Sequence, residues 1–108
     1  MPTVFVTQAN ASLNFAPAAK FGEVKVMIPP RVQMRNHNQD IIKILDKALA
    51  KFKTDEDHLI LTGDPLIMGV ASALAFEYGD GIVQFLKWDR FQEDYIQVTL
   101  NIQEDLDD

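Results

Sequence analysis

Thr62-Gly63-Asp64-Pro65 is the segment of the chain most like a piece of chemical machinery. A glycine turn entering a helix can hold phosphate on free backbone amides. Here Asp64 is a strong N-cap, Pro65 suits the first helical position, and Gly63 permits the tight turn before them. The carboxylate competes for the amides and repels an anion. Val70 and Ala71 stand where a P-loop carries its lysine and hydroxyl, and G-x-G-x-x-G is absent. Structural capping is therefore the first reading of Asp64.

Other reactive groups are few. There is no cysteine, which removes disulfides, thiolate catalysis and cysteine zinc sites. Neither Ser12 nor Ser72 lies in a G-x-S-x-G elbow. His37 and His58 lack an i, i+4 partner, so no metal site is expected, and His58 reads as an exposed residue at the start of a strand. No cofactor is expected either. Carboxylate chemistry by Asp64 with Asp89 requires the fold to bring the two together.

The elements that would position these groups follow from periodicity. Thr3 to Gln8 is β-branched and aromatic, a first strand. Ala9 to Phe21 is a connection with one helical turn over 18–21, ended by Gly22. Glu23 to Ile28 alternates and is stopped by Pro29-Pro30. A helix capped by Asn36 or Asn38 runs to about Lys53, with Ile41, Ile42, Ile44, Leu45, Ala48, Leu49 and Phe52 as its apolar stripe. His58 to Thr62 is a third strand. A second helix spans Pro65 to Tyr78, Ile82 to Trp88 is a fourth strand, and Tyr95 to Ile102 a fifth.

The order β-β-α-β-α-β-β predicts a single α/β domain over residues 1–103, a small Rossmann-like or flavodoxin-like sheet, mostly parallel, with a C-terminal antiparallel hairpin. Residues 104–108 form an acidic tail. Ligands of such sheets bind beyond the carboxyl ends of the strands. That edge collects Gln8, Asn10, Arg31, Thr62, Gly63, Asp64, Trp88, Asp89 and Arg90 as candidate ligand-binding residues.

The second helix is the anomaly. Between Pro65 and Phe76 its only polar side chain is Ser72. An all-round apolar helix needs cover on more than one side. This predicts self-association, a dimer foremost, with Met68, Val70 and Leu74 at the interface.

Ten basic against sixteen acidic residues give a net charge of −6, which argues against duplex nucleic acid. Asp55-Glu56-Asp57 reads as a solvated acidic knot. No apolar run reaches the roughly 18 residues of a membrane span. The N-terminus reads as a strand and not a signal peptide, and the cytoplasm is the expected compartment.

Met1-Pro2-Thr3-Val4-Phe5-Val6-Thr7-Gln8 and Leu86-Lys87-Trp88-Asp89-Arg90 resemble segments of short proteins encoded by tailed bacteriophages. The resemblance covers about a fifth of the chain and carries no chemical motif. It implies an accessory protein of the infected host's cytoplasm, with a host protein as a partner. Three function classes stand. The first is a non-enzymatic accessory or interaction protein that self-associates. The second is a small-ligand or nucleotide-binding Rossmann-like module, and the third a carboxylate-dependent hydrolase.

Overall fold

A computed structural model describes residues 1–36 and 38–103; His37 and the acidic tail lie outside the described residues. Five strands form one sheet: β1 (Thr3–Gln8), β2 (Glu23–Ile28), β3 (His58–Ile60), β4 (Ile82–Asp89) and β5 (Asp94–Asn101). Helix α1 (Gln39–Leu49) links β2 to β3, and α2 (Pro65–Tyr78) links β3 to β4. A 3-10 helix, Ala16–Phe21, links β1 to β2.

The strand order is β2-β1-β3-β4-β5. The pairs β1–β2, β1–β3 and β3–β4 are parallel, and β4–β5 is an antiparallel hairpin with Phe85 opposite Val98. The chain thus runs outward from β1 to β2, then returns past β1 to β3 and continues to β4. The two directions use opposite faces of the sheet. Phe5, Leu59 and Val83 pack under α1 and α2 with Leu45, Leu49, Ile67, Ala71 and Ala75. Their sequence neighbours Val4, Val6 and Ile60 point the other way, as the two-residue period of a strand demands. They form a smaller core with Leu86, Tyr95 and Ala18 of the 3-10 helix.

α1 is amphipathic, but Ile44 stands off its apolar stripe and is half exposed. Asn38 precedes it without a side-chain cap; its amide is bonded to Arg35 instead. The helix closes at Leu49, and Phe52 returns into the core against Phe5. In α2 the fully buried positions are Ile67, Ala71 and Ala75, one helical turn apart, while Val70, Leu74 and Phe76 are partly buried against the same core. The Tyr78 hydroxyl donates to Asp46 and ties the two helices together.

Two local expectations are corrected here. His58 is buried, not exposed, because β3 lies between β1 and β4 and Phe21 packs over it at 5.2 Å. Asp57 is buried too and leaves the solvated knot. Its carboxylate accepts Thr3 N and Lys53 N, both at 2.8–2.9 Å, and pins the start of β1 to the end of the α1 region.

Candidate functional site

In an open sheet whose strand order reverses, the crevice for ligands lies beyond the carboxyl ends of the two strands flanking the reversal. Those strands are β1 and β3, and the chain leaving them carries Gln8 and Thr62-Gly63-Asp64. The structure brings these four residues together and fills the crevice with their own side chains.

Gln8 is only 3% exposed. Its Nε2 donates to Pro29 O (3.0 Å) and Val32 O (2.6 Å), and its Oε1 accepts Asp64 N at 2.8 Å. One amide side chain thereby joins β1, the segment after β2 and the α2 entrance. The Asp64 carboxylate caps α2 through Leu66 N (2.8 Å) and holds Met34 N with its other oxygen (2.8 Å). Thr7 and Thr62 close the seam: Thr62 N donates to Thr7 Oγ1 at 2.8 Å, and the Thr62 hydroxyl donates to Gln8 O. Two amides that could cradle an anion, Asp64 N and Leu66 N, are spent inside the protein. Arg31 lies in the segment that Gln8 holds, exposed and at a positive φ of 72°.

The remaining candidates stand apart from this cluster. Asn10 forms a local turn, accepting from Ser12 N and Ser12 Oγ. Trp88 and Asp89 end β4, with Arg90 in the hairpin turn. Asp89 accepts Phe91 N at 2.9 Å, and Trp88 lies edge-on to Tyr95 with centroids 5.1 Å apart.

Thr62 and Trp88 face each other across a different feature. β3 meets β4 only through Leu59 and Phe85, so beyond that point the strands diverge. The gap opens into a groove of about 710 Å³. Leu61, Leu86, Trp88, Tyr95 and Leu100 line it from the sheet, and Leu13 and Pro17 close it from the connection above. Four of its side chains are large, apolar and 40–46% exposed: Leu13, Leu61, Trp88 and Leu100. Sequence reasoning named two of its lining residues, Thr62 and Trp88, but not Leu13, Leu61 or Leu100. The signal available was the apolar Leu61 beyond the strand end, next to a connection whose Leu13 and Phe15 have no partner in their own segment.

Two electrostatic features border the groove. The Lys20 ammonium bonds Asp94 at the start of β5, and this, with Tyr95 N, holds the Asp94 carboxyl below its usual range. Burial pushes the Tyr95 phenol up. Among the described residues no group of three or more histidine or acidic side chains could hold a metal ion.

The expected α2 residues divide by exposure. Met68, Val70 and Leu74 are each half-buried, whereas Leu66, at 61%, Gly69 and Ala73 are exposed.

No curated protein and no solved structure matches the chain. A family model does, over residues 2–102, which takes in all five strands and both sides of the groove. With that span the chain belongs to the family of phage Pam3 gp32-like proteins.

Proposed function

We propose that the chain is a phage-encoded, non-enzymatic accessory protein that works by binding other protein chains, a second copy of itself first. The observation that carries this reading is the groove, whose lining includes Leu13, Leu61, Trp88 and Leu100, each 40–46% exposed. Contiguous apolar surface of this kind marks interaction sites in soluble proteins. The polar groups at the β1/β3 crevice point the same way, since Gln8, Thr62 and Asp64 are consumed by internal hydrogen bonds. Asp64, whose two oxygens each accept a backbone amide, is a poor candidate for a hydrolase carboxylate.

Membership of a phage protein family supports work in an infected bacterium, and no described helix is long and apolar enough to cross a membrane. The host cytoplasm is the compartment we assign, and a host protein is a further partner. Light scattering over a range of concentrations tests the reading. A mass of twice one chain, rising with concentration, is expected. A strictly monomeric chain at several hundred micromolar would remove self-association from it.

A small-ligand module is the second reading. The strand order, reversing at β1, supports kinship with doubly wound Rossmann-like or flavodoxin-like sheets. The groove, at the carboxyl ends of β3 and β4, has the volume of a ligand pocket, typically about 300–1,000 Å³. A thermal-shift screen of nucleotides and apolar small molecules separates the two. A compound that raises the melting temperature of a chain that stays monomeric favours the second.

A further inference from the structure

We infer that the second copy pairs with the outer edge of β5 along Ile96 to Leu100, making one continuous ten-stranded sheet across a two-fold axis at Val98. This rests on the self-association proposed above and adds where the partner sits. The two edges of the sheet differ. On β2 the strand is interrupted by Glu23 and Lys25, both exposed, and Pro29-Pro30 follow it. Charges and prolines on an edge discourage pairing with another chain. On β5 there is no such guard. Eight residues run from Asp94 to Asn101, with no proline, no lysine and no charged side chain after Asp94. Among the described strands β5 pairs only with β4.

The strand is also complementary to itself. In antiparallel pairing centred on Val98, Ile96 faces the partner's Leu100 and Val98 faces the partner's Val98. On the other side of the sheet Gln97 faces the partner's Thr99. The pairing therefore matches apolar with apolar on one surface and polar with polar on the other. A shift of one residue would move every apolar side chain to the wrong face. No like charges meet across the axis, since Tyr95 to Asn101 carries none. Val98 and Leu100 also line the groove, so the shared strand would continue its apolar wall into the second copy and cover Leu100, which is 46% exposed in the single chain.

Single-cysteine cross-linking tests this, because the native chain has no cysteine. Directly opposed residues of an antiparallel pair have Cβ atoms about 4.5–5.5 Å apart, near the roughly 3.5–4.5 Å of a disulfide. Oxidised Val98→Cys is expected to run as a covalent dimer, forming at least about tenfold faster than in Val26→Cys on the β2 edge or Ala73→Cys on α2. Val98→Lys, which opposes two ammonium groups at the axis, is expected to return the light-scattering mass to one chain with its circular dichroism unchanged. If Val98→Lys does not fold, the cysteine series still decides. A wild-type dimer that cross-links through Ala73→Cys and not Val98→Cys overturns the β5 assignment and leaves self-association standing. A wild-type monomer at several hundred micromolar overturns both.

Discussion

Gln8 occupies the space that any side chain at residue 63 would need. A Cβ on Gly63 would overlap the Gln8 carboxamide oxygen and stand 2.5 Å from its Cβ, and Gly63 has a φ of +96° that other residues rarely adopt. The crevice where a doubly wound sheet would take a ligand is thus shaped around an internal side chain.

Gly63→Ala is accordingly expected to destabilise the fold by at least about 1–3 kcal/mol from backbone strain alone. Gln8→Leu keeps the volume but strands Asp64 N, Pro29 O and Val32 O. Each buried group left without a partner costs about 1–3 kcal/mol. Urea denaturation of both variants checks this. A Gln8→Leu protein as stable as wild type would show that the crevice is wetter than the geometry implies.

Asp64 gives a graded expectation. Loss of an N-cap costs about 0.5–2 kcal/mol. Asp64→Ala also leaves Met34 N without its acceptor, so its cost should exceed that of a cap alone. Asp64→Asn retains one oxygen for Leu66 N and turns an amide donor toward Met34 N. Its stability should fall between wild type and Asp64→Ala. Equal denaturation midpoints for Asn and wild type would mean that the Met34 bond contributes little.

How much of this could be read along the chain depends on sequence distance. The α2 start was legible because Gly63, Asp64 and Pro65 are adjacent and act locally. The hairpin of β4 and β5 was legible for the same reason. Gln8 was visible as a polar residue at a strand end, but its partners are 21 to 56 residues away, and nothing near Gln8 announces a plug. Asp57 and His58 were misplaced because burial at the start of β3 is set by β3's central position in the sheet. The groove was half legible. Thr62 and Trp88 stand beside turn signals in the sequence, whereas the lining as a whole comes from three segments joined only by the fold.

Titration should show opposite signs at the two ends of the pH scale. Tyr78 is raised above the ordinary 10.0, first by donating to Asp46, and Tyr95 is raised by burial. For a raised group the stabilisation is complete below the unfolded value and disappears as pH climbs through the folded one. Tyrosinate absorbance of the folded protein should therefore rise later than that of the urea-unfolded chain, with stability falling in that interval. Asp94 is lowered, first by its bond to Lys20. Its contribution is present above the ordinary carboxylate value and is lost as pH falls through the lowered one. Lys20→Ala should weaken that acid dependence; superimposable acid profiles would show that the Lys20 contact contributes nothing to it.

Duplex DNA should not bind tightly. The net charge of −6 opposes the counterion release that drives such binding. A gel shift at sub-micromolar protein that weakens with added salt would contradict this.

Trp88 makes the groove observable. It is the only tryptophan, it lines the groove, and it is 44% exposed. An indole half in water emits at longer wavelength than one covered by apolar side chains. Whatever covers the groove, a second chain or a small molecule, should shift the emission to the blue. If the second copy is responsible, the shift should grow with protein concentration and vanish in Val98→Lys. If a small ligand is responsible, the shift should follow ligand at fixed protein concentration and survive that substitution. Leu61→Arg, which places a charge in the wall opposite Trp88, should suppress the shift in either case while leaving Gln8 and Asp64 in place. A blue shift that persists undiminished in Leu61→Arg would move the binding surface away from the groove.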